Sequence, residues 1–201
     1  MRFNADQIDA LTEVVNIGVG RAAASLNELL GERIELRVPA VRFCNRSDLR
    51  REIGSADEPL DTAVLQKFEG RITGRSMLAF PRRSGVALAA LLVGDDPQRQ
   101  GDDLDFDLAG TLEEVGNIVL NGVLGSIANV FCDDFRYSVP ELCQGEVTEA
   151  AVGAGSLATP CLLADAVFSV AGAPINGSLL LVFHSGEIDL LLDELLAAAA
   201  S

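Results

Sequence analysis

The sequence predicts an α+β fold, one antiparallel sheet carrying two long helices related by a pseudo-two-fold axis. Three observations lead there: the chain repeats itself, each copy opens on a long amphipathic helix, and each then supplies a strand, a strand pair and a shorter helix. Sliding the sequence by 101 positions places Leu11 on Leu112, Glu13 on Glu114, Val14 on Val115, Asn16 on Asn117, Ile17 on Ile118, Ser25 on Ser126, Val38 on Val139 and Pro39 on Pro140. Ser84 and Gly85 fall on Ser185 and Gly186 at the same offset. Self-similarity at one fixed spacing is the mark of a repeated structural unit. The chain is therefore read as two diverged copies, about residues 4–94 and 104–201, folded as a single domain over 1–201 because neither half has an obvious core of its own.

The first helix is expected from about Asn4 to Leu30. Asn4 with Gln7 three residues on resembles a capping box, and Gly31 suits the position just past a helix end. At 100° per residue Ile8, Leu11, Val15, Ala22, Leu26 and Leu29 form one apolar stripe, which should face the core. Ile34, Leu36 and Val38 alternate with Glu35 and Arg37, the period-two pattern of a half-buried strand. Residues Asn45 to Thr62 read as polar and irregular, with one short helix over Ser47 to Ile53. Strands follow at Ala63 to Arg71 and Gly74 to Phe80, then a helix from about Ser84 to Val93, stopped by Gly94.

The polar segment Asp95 to Asp103 joins the copies. In the second, a helix is expected from about Asp105 to Phe131, a strand from Phe135 to Pro140, and a small-residue loop from Glu146 to Thr159. Strands Cys161 to Ala171 and Ser178 to His184 are expected to meet through Asn176-Gly177, a favoured hairpin turn. A Leu-rich helix over Glu187 to about Ala199 closes the chain as core cover. Helices and strand pairs in this order favour antiparallel sheet with helices packed on it.

Composition narrows the function. At 201 residues and 49% hydrophobic, the chain can bury a substantial core, which argues against disorder. Its 30 acidic against 15 basic residues give a formal charge of −15, which repels phosphate backbones and anionic lipids, so neither nucleic acid nor a membrane surface is an expected partner. No apolar run approaches the roughly 20 residues that span a bilayer, and the N-terminus has no secretory pattern, so a cytoplasmic location is expected. Cys44, Cys132, Cys143 and Cys161 lack metal-ligand spacing and His184 is the only histidine, so no metal site is expected and the thiols read as reduced and mostly buried.

The candidate chemistry sits on the polar side of the first helix. Asp9, Glu13, Asn16 and Gly20, spaced four, three and four apart, fall within a narrow arc well away from the apolar stripe and should face solvent. Gly18, Gly20, Ala23 and Ala24 surround them, small residues that leave the polar side chains standing clear and would let another protein's loops approach. Asp9-x3-Glu13-x2-Asn16-x22-Pro39 resembles the D/S-x3-E-x2-N-x22-P motif of the CheC, CheX and FliY phosphatases. The second copy supplies Gly110-x3-Glu114-x2-Asn117-x22-Pro140, so three of four elements recur with the same gaps. The likeness covers essentially the whole chain and is nearest to CheC, which carries two such copies.

The resemblance implies a CheC-like phosphatase that removes phosphate from the aspartyl phosphate of a CheY-like response regulator. A neutral amide donates and accepts hydrogen bonds, so Asn16, and Asn117 in the second copy, would orient the attacking water. Glu13 and Glu114 would pair with the receiver's active-site lysine. Asp9, Pro39, Gly110 and Pro140 are motif-supporting, with Gly110 replacing the acidic or hydroxyl residue at the head of its motif. The phosphorylated aspartate and the Mg²⁺ would belong to the response regulator, so the chain needs no cofactor of its own. The alternative is a weakly or non-catalytic adaptor binding the receptor deamidase CheD; a flagellar switch component is the third reading. Because duplication already supplies two sites in one chain, a monomer is expected.

Overall fold

The computed structural model describes residues 4–31, 34–53, 59–96, 104–130, 134–145, 147–152, 160–170 and 173–183. Helix α1 spans Ala5–Leu30. It begins and ends where its caps dictate: Asn4 accepts from the Gln7 N–H at 2.8 Å, the Gln7 side chain takes the Asn4 N–H at 2.9 Å, and Gly31 adopts a left-handed φ of 68°. Strands β1 (Ile34–Arg37) and β2 (Val41–Asn45) follow, then a short 3-10 turn at Arg46–Asp48 and helix α2 (Leu49–Glu52). Strands β3 (Thr62–Glu69) and β4 (Thr73–Phe80) form a hairpin, and α3 (Arg82–Leu92) ends just before Gly94 at φ 75°. The second half repeats the order with α4 (Phe106–Val130), β5 (Arg136–Tyr137), β6 (Glu141–Gln144), α5 (Val147–Val152), β7 (Pro160–Val170) and β8 (Ala173–Phe183). Asp105 caps α4 by accepting from the Leu108 N–H at 3.0 Å.

All eight described strands form one antiparallel sheet, ordered β1-β7-β8-β4-β3-β5, with β2 also on β7 and β6 also on β3. Exchanging the halves returns the same order read backwards. The edges are each a strand broken in two: β1 pairs with Val167–Val170 and β2 with Pro160–Ala164 of the same β7, while β5 and β6 share β3 in the same way. Pro39 lies at one break and Pro140 at the other, as expected of a residue that has no N–H to give to a ladder.

The sheet separates two apolar clusters by simple alternation. Val64, Phe68, Leu78, Phe80, Leu162, Phe168, Leu179 and Leu181 face the long helices, with Leu11, Val15, Leu26, Leu112, Val119 and Leu124. Ala63, Met77, Cys161, Leu163, Leu180 and Val182 face the other way, under Leu49 of α2 and Val147 of α5. Helix α1 is covered by α4 as well as by β1 and β2. Its buried arc consequently takes in Val14 and Val19, while Ile8 is half-buried and Leu29, expected in the core, is 58% exposed.

The expected turn at Asn176-Gly177 does not form. Both residues lie inside β8, opposite Val167 and Ala166, and the β7–β8 ladder runs on to Val170 opposite Ala173. Gly177 is required there by packing: a Cβ would stand 2.6 Å from the Phe80 ring and 3.1 Å from the Ala79 carbonyl oxygen. Of the expected strand over 135–140 only Arg136–Tyr137 is strand, as β5, with the break at 138–140 and β6 beginning beyond it at Glu141, and the expected loop over 146–159 contains α5. His184 and the expected closing helix lie outside the described residues. No described helix is long and apolar enough to cross a membrane.

Candidate functional site

The broken edge strand explains the long gap in the first motif. Val38 is 2% exposed and follows the last residue of β1, so its N–H has left the ladder and needs another acceptor. Asn16 reaches up from α1, and its Oδ1 accepts from that N–H at 3.2 Å. Asn27, three turns along α1, does the same for the Ile34 N–H at the start of β1. Two amides thus strap the helix to the edge strand, and the 22-residue gap between Asn16 and Pro39 is the path from the helix middle to the break.

This contact corrects the expectation that Asn16 simply faces solvent: it is half-buried, whereas Asp9, Glu13 and Gly20 are exposed as expected. It also fixes the amide's orientation. Only the carbonyl oxygen can take a backbone N–H, so the Nδ2 end, with its two donors, points away from that contact. Glu13, one turn earlier, is exposed and makes no hydrogen bond or ion pair with any described residue.

The second copy ties its long helix to the edge at a different point, since Val139, the counterpart of Val38, is exposed. There Glu113, the residue before Glu114, accepts from the Leu142 N–H of β6 at 3.1 Å. Asn117 is freed from the strand, and its Oδ1 accepts instead from Asn121 Nδ2 at 2.8 Å. In both copies the asparagine's oxygen is engaged, the asparagine is half-buried and the glutamate one turn before it is exposed. Gly110 is exposed with no atom within 4 Å of where its Cβ would be, so the head of the second motif is open space. Pro39 is exposed and Pro140 half-buried. Sequence reasoning missed the apolar groups beside the second motif: Phe106, one turn before Gly110 on α4, is 92% exposed and Val139, beside Pro140, is 79% exposed.

The two helices meet where the small residues are. A Cβ on Gly18 would lie 2.6 Å from the Gly122 carbonyl oxygen, and one on Gly122 would lie 2.8 Å from the Gly18 carbonyl oxygen. Gly18 is therefore buried against α4 and does not serve an approaching loop; Gly20 and Ala24 remain exposed. A cavity of about 500 Å³ lies elsewhere, beside Lys67, Arg75, Ser138 and Gln144, and no motif residue lines it. Among the described residues no cluster of three or more His, Cys, Asp or Glu side chains could hold a metal ion.

The model of the CheC-like family matches residues 7–42, the stretch that holds all four elements of the first motif. Over 139 residues the chain is 30% identical to the CheY-P phosphatase CheC of Bacillus subtilis (strain 168), covering 68% of this chain and 66%, just under two thirds, of that protein. The structure of FliY from Thermotoga maritima is similar with a TM-score of 0.74 at 17% identity, over 98% of this chain and 99% of that one. A chain of the CheX-CheY-BeF3-Mg²⁺ complex from Borrelia burgdorferi is similar with a TM-score of 0.50 at 16% identity, over 84% of this chain and 96% of that one. With the family model seated on the capped helix and its strapped edge strand, and a relative at this identity, the chain is similar to the CheC-like family in sequence and in fold.

Proposed function

We propose that this protein hydrolyses the aspartyl phosphate of a CheY-like response regulator, using the Glu13–Asn16 face of α1 and its counterpart, Glu114 and Asn117, on α4. The observation that carries the reading is the Asn16 amide. Its oxygen is pinned by the Val38 N–H while its NH₂ and the Glu13 carboxylate one turn away make no bond to any described residue. A pinned neutral amide can hold a water in line with a phosphorus atom without deprotonating it. Water oxygen then bonds to phosphorus as the bond to the aspartate oxygen breaks, releasing inorganic phosphate and restoring the receiver's carboxylate. Glu13, acceptor-only when ionised, pairs with the receiver's active-site lysine and fixes the docking.

The name of the Bacillus subtilis relative supports this substrate, and the complex of CheX with CheY, BeF3 and Mg²⁺ supports a receiver as the partner. The test is to mix the protein with a phosphorylated receiver and Mg²⁺ and follow phosphate release. Acceleration that disappears when Asn16→Ala and Asn117→Ala are combined is the expected result. No acceleration by the wild type, or acceleration that survives the double substitution, overturns the reading.

A further inference from the structure

The second apolar cluster contains a pair of thiols that the sequence gives no hint of. Cys44 of β2 and Cys161 of β7 are separated by more than half the chain, yet they are register partners in the β2–β7 ladder. Directly opposed residues of an antiparallel pair share a face, with Cβ atoms about 4.5–5.5 Å apart, at the edge of the range a disulfide bridges. The two side chains are hydrogen-bonded to each other, Cys44 half-buried and Cys161 fully buried, and neither is in a disulfide.

We propose that Cys44 and Cys161 form a thiol-disulfide modification site, oxidised by peroxides or low-molecular-weight disulfides. The two cysteines have different parts in it. The Cys161 thiol, donating to Cys44, stabilises the Cys44 thiolate, and this lowers the Cys44 pKa despite opposing effects of burial and of Glu52 and Asp48; Arg42 assists. The same hydrogen bond, together with burial, holds Cys161 protonated. Cys44 is thus the more exposed thiol and the better nucleophile, and Cys161 is the resolving partner behind it. With hydrogen peroxide, the Cys44 thiolate attacks one oxygen, forming a sulfenic acid and releasing hydroxide. Cys161 sulfur then attacks the Cys44 sulfur, the S–O bond breaks, and water leaves with the Cys161 proton. The net change is loss of two hydrogens from the pair and reduction of one peroxide to two waters. With a small disulfide, Cys44 is first capped and Cys161 then displaces the cap as a thiol.

The bridge would clamp β2 to β7 beside the ion pair that already spans these strands, Arg42 to Asp165 at 2.9 Å. Two further cysteines serve as internal controls. Cys143 lies on β6 opposite Ala63, on the far side of the sheet order, and Cys132 is outside the described residues.

The test titrates the reduced full-length protein with hydrogen peroxide, and separately with oxidised glutathione, then blocks remaining thiols and maps peptides by mass. The expected result is a Cys44–Cys161 cross-linked peptide that forms at lower oxidant than any modification of Cys143, reverses with dithiothreitol, and raises the thermal midpoint. In Cys161→Ser the Cys44 sulfur should instead run on to sulfinic acid or stay capped by glutathione. Cross-links that join other cysteines, or a wild-type Cys161 that remains alkylatable after unfolding while Cys44 is over-oxidised, would overturn the proposal. The wild-type map is decisive even where the variant folds poorly.

Discussion

Replacing Asn16 separates two roles that its position combines. Asn16→Ala removes the acceptor from a backbone N–H whose residue is 2% exposed. An unsatisfied buried donor costs about 1–3 kcal/mol, and since the bond is long at 3.2 Å the lower end, about 1–1.5 kcal/mol, applies. Alanine returns roughly 0.5 kcal/mol in helix propensity, leaving a net loss of about 0.5–1 kcal/mol. With a urea slope of about 2 kcal/mol/M, the unfolding midpoint should fall by roughly 0.25–0.5 M. Asn16→Asp keeps an oxygen for the Val38 N–H and should unfold within about 0.5 kcal/mol of wild type, but its carboxylate donates nothing to a water or phosphoryl oxygen. In an Asn117→Ala background, Asn16→Asp should therefore lower phosphate release by about 100-fold, the scale of losing one positioned donor. Two outcomes would refute the reasoning. Asn16→Ala unfolding later than wild type would mean that the strap to Val38 contributes nothing. A folded Asn16→Asp variant that retained the background rate would mean that the amide's donors play no part.

The two glycines of α1 should respond to alanine with opposite signs. Gly18→Ala drives a methyl into the α4 backbone at 2.6 Å and should destabilise by about 1–3 kcal/mol, whereas Gly20→Ala meets nothing within 4 Å and should gain about 0.8–1 kcal/mol, both readable by urea unfolding. Gly177→Ala, facing the Phe80 ring, should lower the midpoint by an amount matching about 1–3 kcal/mol; an unchanged midpoint would mean Phe80 has room to move. Glu13→Ala combined with Glu114→Ala should leave stability within about 0.5 kcal/mol, since both side chains are exposed. The same pair should weaken receiver turnover by roughly 10-fold or more through loss of a charge-assisted bond, most visibly at low salt.

Features that were legible in the sequence are those with local causes. The ends of α1 follow from Asn4, Gln7 and Gly31, residues whose caps close within one turn. The exposed Glu13 follows from helical phase alone. What failed to show depends on partners distant in the chain. Asn176-Gly177 reads as a turn by composition, but Phe80 of another strand selects the glycine for space. The small residues around Asn16 were visible, but not that Gly18 meets Gly122. The motif gap between Asn16 and Pro39 was countable, while its cause, a lone N–H at a broken edge, is a property of the ladder. Cys44 and Cys161 carry no spacing signal because β2 finds its register on a strand from the other end of the chain.

That exchange of strands has a consequence for biogenesis. Ile34 finally rests opposite Val170, and Val41 opposite Ala164. During translation the first edge emerges long before the strand it must join, and α1 before the helix it crosses at Gly122. Until the ribosome delivers the last hairpin, the nascent N-terminal portion holds Val15, Leu26 and Leu36 without their cover. Non-local closure of this kind slows folding and prolongs the interval in which a chain can aggregate, so the arrival of β7 and β8, more than any step within the first half, should set when this fold becomes native.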